Sequence, residues 1–170
     1  MFSMKLVLDA TPIIHAANTP IIHAANTPIH ALFGKLDLEL CTTSVVMRET
    51  LHGDFEGRNI IETLFQGQVR VEEPVRVLAA QRGLHAGEST AIALALEKNA
   101  VLMTDDRVAR TVAKAMGVTV VYSTFFIFRA LGKKAISKPE AERLVGRLIE
   151  SGWWCDAETL ARIYDAIRGF

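Results

Sequence analysis

Short apolar runs that end on a polar residue and lead straight into a helix start recur along this chain. That alternation admits few folds other than a parallel sheet with helices packed on it. Residues 5–9 (KLVLD) are the first such run, with Thr11-Pro12 behind them as an N-cap and a proline at the first helical position. Residues 36–43 read as the second strand, and Thr43 or Ser44 caps a helix that runs to Gly53 and carries Glu49 one and a half turns in. A helix over 60–65, a strand over 68–72 and a helix over 74–82 follow. Gly87 then precedes Glu88-Ser89-Thr90, and the helix-forming run 91–96 places Glu88 in a first turn, where a negative charge is favourable. After a turn at Asn99-Ala100, the strand 101–104 ends in Asp105-Asp106, the helix 107–116 stops at Gly117, and 118–122 form a last strand. Everything beyond Ser123 reads as helical, with Lys138-Pro139 and Asp156-Ala157 opening the final two helices. The expected class is α/β, a three-layer α/β/α sandwich around a central, mainly parallel sheet. Residues 1–124 form the sheet domain, and residues 125–170 a C-terminal helical extension packed on the same domain.

Composition narrows the function. A length of 170 residues at 50% hydrophobic content suffices for one compact core. The longest apolar stretches, 91–96 and 125–128, are too short to cross a bilayer, and the run 6–8 is cut off by Asp9, which excludes an export signal there. Two distant cysteines, Cys41 and Cys155, form neither a metal-ligand pair nor a disulfide framework, so a cytoplasmic location is expected. The 19 basic and 19 acidic side chains cancel, and the chain as a whole exerts no attraction on a polyanion. The one local excess, six basic residues (Arg129, Lys133, Lys134, Lys138, Arg143, Arg147) against Glu140 and Glu142, reads as a solvated helical surface before a phosphate patch.

Four carboxylates, Asp9, Glu49, Glu88 and Asp105, stand at strand ends or on helices near them. A parallel sheet gathers its strand ends on one edge, where ligands bind. Each acid alone has a plain structural account: Asp9 as a buried turn residue, Glu49 as a surface charge, Glu88 as a helix-start charge, Asp105 as a strand-end cap. Together on one edge they repel one another, and a hard divalent cation such as Mg²⁺ or Mn²⁺ relieves that repulsion. Metal-assisted phosphodiester hydrolysis is the reaction this suggests, with bound water activated by the ion. An aspartyl phosphatase is a poorer reading, because the second Asp that such enzymes need two residues on is Thr11 here. One further feature is a repeat: TPIIHAAN at 11–18 recurs unchanged at 19–26, and a third copy begins at 27. Its period is too short for a solenoid, and Pro20 and Pro28 predict a broken helix or a loop. His15, His23 and His30 lack the spacing of a helical metal pair.

Asp9-Ala10-Thr11-Pro12, the helix with Glu49, Gly87-Glu88-Ser89-Thr90-Ala91 and Thr104-Asp105-Asp106-Arg107 occur in an order that resembles a PIN domain. This is the nuclease fold of VapBC-type toxin ribonucleases and of RNA-processing enzymes. The resemblance spans residues 5–124. The tail, with Gly132, the helix after Pro139 and Gly152-Trp153-Trp154, resembles a prokaryotic subgroup of stand-alone PIN proteins. The resemblance implies that Asp9, Glu49, Glu88 and Asp105 are the catalytic, metal-binding acids. Asp106 either joins them or caps the helix starting at Arg107, the cap being the favoured reading. It implies Mg²⁺ or Mn²⁺ as cofactor and single-stranded RNA as substrate, cleaved to 5′-phosphate and 3′-hydroxyl ends. Thr11, Arg107 and Arg110 are candidate substrate contacts. An antitoxin protein and a homodimer are the implied partners, and a catalytically silent PIN-like interaction module is the alternative. In the family the first two acids stand roughly one octet closer together than Asp9 and Glu49 do.

Overall fold

The computed structural model describes residues 3–18, 33–54, 57–76, 78 and 83–170. Strand β1 (Met4–Leu8) lies at the centre of a five-stranded sheet, and its Leu6, Val7 and Leu8 are fully buried. Burial on both faces is what turns a strand into an unbroken apolar run. The other strands are β2 (Leu38–Thr42), β3 (Val69–Val71), β4 (Val101–Met103) and β5 (Val120–Val121). Their order is β3-β2-β1-β4-β5 and every pairing is parallel, with Leu6 opposite Leu40 on one side and Val101 on the other. The chain therefore builds outward from β1 in one direction and then in the other. The gap between β1 and β4, at the carboxyl ends of the strands, is the switch point where such sheets bind ligands.

Helices complete the three-layer α/β/α sandwich. They are α1 (Ala10–Asn18), α2 (Ser44–Thr50), α3 (Arg58–Gly67), α4 (Ala86–Lys98), α5 (Arg107–Ala115), α6 (Phe125–Gly132), α7 (Lys138–Glu150) and α8 (Ala157–Gly169). Their ends follow local chemistry. The Thr43 hydroxyl accepts the Val46 N–H at 3.3 Å to start α2, and the Asp106 carboxylate accepts the Ala109 N–H at 2.7 Å to start α5. Ser137 and Glu140 form a reciprocal capping box at α7, and Asp156 caps α8 through the Thr159 N–H. Asn99, at a left-handed φ of 48°, ends α4.

Two expectations shift, and a third falls outside the described residues. Helix α1 begins at Ala10, one residue before Thr11, because Asp9 Oδ1 itself takes the Ala10 N–H at 2.8 Å. Pro12 then stands in the first turn, where the missing N–H costs nothing. The helix expected over 74–82 is a bend at 75–76, where the Glu97 carboxylate accepts the N–H groups of Val75 and Arg76 at 2.9 and 2.6 Å; residues 77 and 79–82 lie outside the described residues. Of the octet, the first copy is α1, while the rest of the repeat, with His23 and His30, lies outside the described residues.

The C-terminal helices share the sheet's core. Phe126, 1% exposed, sets its ring 4.4 Å from that of Phe33, and Ile127, Ala130 and Val145 belong to the same apolar cluster as Leu6 and Leu102. Arg129 Nε donates to the Leu36 carbonyl at 3.0 Å, and Lys133 pairs with Asp37. Among the described residues no helix is long and apolar enough to cross a membrane. Phe126→Ala is expected to cost about 3–5 kcal/mol, the usual range for a buried phenylalanine, and to leave a single urea transition by tryptophan fluorescence and far-ultraviolet circular dichroism. A loss below about 1 kcal/mol, or two separate transitions, contradicts the shared core.

Candidate metal centre

Asp9 ends β1 at the switch point and is 2% exposed. Its Oδ1 accepts the Ala10 N–H at 2.8 Å and its Oδ2 accepts the Thr104 hydroxyl at 2.7 Å. Thr104 Oγ1 in turn accepts the Asp106 N–H at 3.2 Å, so the ends of β1 and β4 are stitched together beneath the acids. Burial raises the Asp9 pKa to about 6; its two hydrogen bonds oppose that rise, and the charges of Glu88 and Glu49 add to it. Asp9, Glu49 and Glu88 thus share one electrostatic field.

Glu49 reaches this field from α2. Its Oε1 accepts the Gly87 N–H at 3.0 Å, at the first turn of α4, where helix amides favour an anion. Gly87 makes the approach possible: a Cβ there would lie 2.1 Å from Glu49 Oε2. Two threonines hold the helices at this distance. Thr90 Oγ1 donates to the Gly87 carbonyl at 2.9 Å, so the 2.8 Å contact between Thr43 and Thr90 has the Thr43 hydroxyl as donor. Glu88 lies one residue beyond Gly87 and accepts the His85 N–H at 2.7 Å. Burial raises its pKa, His85 opposes, and the charges of Asp106 and Glu49 add to the rise.

The adjacent acids after β4 part ways. Asp105 Oδ1 accepts the Ser123 N–H at 3.0 Å and the Trp153 indole N–H at 3.1 Å, and its Oδ2 accepts the Ser123 hydroxyl at 2.5 Å. Three of the four lone-pair positions of that carboxylate are in use. Asp106 caps α5 through Oδ1 alone, and its charge is felt by Glu88. Asp9 thus feels the charges of Glu49 and Glu88, and Glu88 those of Glu49 and Asp106, while Asp105 is oriented by Ser123 and Trp153.

Thr11 is half-buried in the first turn of α1, two residues past Asp9. Arg107 is exposed at the start of α5. Arg110 is engaged within the molecule, donating to the Asp105 carbonyl and lying 4.7 Å from the Tyr122 ring centroid. His15 is buried, with its pKa lowered by burial against the opposing charge of Asp105. Ser151 gives its hydroxyl hydrogen to the Leu148 carbonyl at 2.8 Å, so His15 is the donor to Ser151 at 3.0 Å and carries its proton on Nδ1. Sequence reasoning missed Thr104, Ser123, Trp153 and the clearance role of Gly87. Gly87 and Thr104 left a signal as neighbours of acids in the motifs, and Trp153 as part of the Gly152-Trp153-Trp154 turn; Ser123 left none.

Among the described residues none of these acids has a lysine or arginine nitrogen within 4.0 Å of its carboxylate. Nor do any three His, Cys, Asp or Glu side chains among them stand close enough to cage one ion. Carboxylate oxygens are donors suited to a hard divalent cation, and these residues would be the ones to hold it.

A parallel α/β domain with acids at the switch point of its sheet is the class that fold and site define. The family model for the PIN domain, DUF3368, matches residues 5–168, and the chain belongs to this family, whose fold is that of nucleases. The match takes in the C-terminal helices. Among solved structures the chain is similar to a PilT N-terminus domain protein, SSO1118, from the hyperthermophilic archaeon Sulfolobus solfataricus P2, at 18% identity over 72% of this chain and 90% of that one, with a TM-score of 0.48. No curated protein matches it in sequence.

Folded Asp9 keeps its proton to about pH 6 and the unfolded chain only to its ordinary 3.8, so stability falls as pH rises through that window. The full effect is about 3 kcal/mol. Asp9→Asn is therefore expected to melt above the unchanged protein at pH 8 and to lose that advantage toward pH 4; an equal difference at both pH values contradicts the burial argument. Gly87→Ala, a change that favours a helix, is expected to keep the melting temperature while weakening Mn²⁺ binding in calorimetric titration by roughly 10–100-fold, the scale seen when a ligand loses its orientation.

Proposed function

We propose that the protein is a divalent-metal-dependent endoribonuclease that cleaves single-stranded RNA. The observation that carries this reading is Asp9, a buried carboxylate in the field of two further acids, Glu88 and Glu49. A fold that buries an anion beside two others gains only if a cation or a phosphate-bound cation joins them. Asp9, Glu49, Glu88 and Asp105 would hold Mg²⁺ or Mn²⁺, with Ser123 and Trp153 orienting Asp105 and Asp106, the cap of α5, a further candidate. The ion would supply charge neutralisation at the attacked phosphate and an acidified water. The protein's own groups do the positioning: Thr104 and the Ala10 N–H fix Asp9, the Gly87 N–H fixes Glu49, and the His85 N–H fixes Glu88. Glu49 keeps an oxygen that no amide occupies and is the group best placed to orient a water. The exposed Arg107 is available to an RNA phosphate.

This reading extends to a cytoplasmic enzyme that works as a homodimer, with an antitoxin as its natural inhibitor. Fluorescently labelled single-stranded RNA incubated with Mn²⁺ tests the core of it. Cleavage to 5′-phosphate products is expected, falling at least about 100-fold on Asp9→Asn or Glu88→Gln, beyond the 10–100-fold typical of changes around a metal ligand. An intact, folded protein that cuts no RNA with either ion is the result expected of a silent interaction module.

A further inference from the structure

Helix α7 ends at Glu150, and Gly152, at a φ of +97°, reverses the chain. The turn that follows is fixed at three points. The Trp153 N–H donates to the Leu148 carbonyl at 2.9 Å, the Trp153 indole donates to Asp105 at 3.1 Å, and Asp156 caps α8. On this rigid mount Trp153 is 5% exposed and Trp154 is 82% exposed. A tryptophan in water is an unusual use of the largest apolar side chain, and here it follows directly on Trp153, whose indole binds Asp105 at the end of β4.

We propose that Trp154 is a stacking platform for a base of the single-stranded nucleic acid whose phosphate lies at the acids. The proposal rests on the nuclease reading for the identity of the site. Charge explains why an indole is suited to the task. The chain has no net charge, and the edge around Asp9, Glu49 and Glu88 is itself anionic, so charge attracts a polyanion there only through a bound cation and the few basic side chains nearby. Stacking draws on the π-face that every base possesses and does not depend on charge. Because Trp153 anchors the turn to Asp105, the strand end and the platform keep a fixed spacing, which is what a chain of regularly spaced bases requires.

The test uses the full chain. In the non-cleaving Asp9→Asn background, binding of a fluorescein-labelled oligouridine is read by anisotropy, and tryptophan emission is read in parallel. Trp154→Ala is expected to weaken binding about tenfold or more, Trp154→Tyr to restore most of it, and RNA to quench the emission of the chain with Trp154 but not of the Trp154→Phe variant, whose remaining Trp153 is buried. In the cleaving protein Trp154→Ala is expected to raise KM by a similar factor with kcat within about twofold. Unchanged anisotropy with Trp154→Ala overturns the proposal, as does a change in sedimentation mass without a change in RNA affinity, which would assign the indole to a second copy of the chain. Trp154-dependent binding in a protein that never cleaves would sink the nuclease reading and leave the platform standing.

Discussion

A carboxylate that the fold keeps from water beside two others is the constraint around which this molecule is arranged. Asp9 sits at the carboxyl end of the central strand, held by Thr104 and by the first amide of α1, in the field of Glu49 and Glu88. Nothing in the hydrophobic core requires an acid at that point. An apolar residue or an asparagine would remove a burial cost that grows as the acid ionises, so the position makes sense as a binding site first and a structural element second.

The surrounding architecture serves that position at several distances. Strand order β3-β2-β1-β4-β5 puts the ends of β1 and β4 side by side. Thr43 and Thr90 dock α2 on α4 so that Glu49 lies against a glycine, and Glu88 follows at once on the same helix. The C-terminal extension then closes the assembly from outside, since Trp153 from the turn after α7 joins Ser123, just past β5, in binding Asp105. The extension thereby becomes part of the site's support, in keeping with a family match that runs to residue 168.

Much of this was legible in the sequence, for reasons that can be named. The unbroken apolar run before Asp9 marks a strand buried on both faces, and Gly87-Glu88 before a run of helix formers marks a helix start. What local pattern could not reveal depends on contacts between distant residues. The clearance that Gly87 gives Glu49 joins positions 38 apart in sequence. The orientation of Asp105 hinges on Ser123 and Trp153, 18 and 48 residues further along the chain. The bend at 75–76, inside the helix expected over 74–82, has the same origin: Glu97, on α4, accepts the N–H groups of Val75 and Arg76. Local propensity decides an element only where tertiary partners do not compete for its backbone.

The most direct measurement is a crystal structure of the protein grown with Mn²⁺ and phased on the metal's anomalous signal. The account predicts a Mn²⁺ peak at the switch point between β1 and β4, bound by Asp9 and at least one of Glu49, Glu88 and Asp105, with ordered waters filling the remaining positions. Absence of a peak there at saturating Mn²⁺, with those carboxylates each drawn to a lysine or arginine, would contradict it.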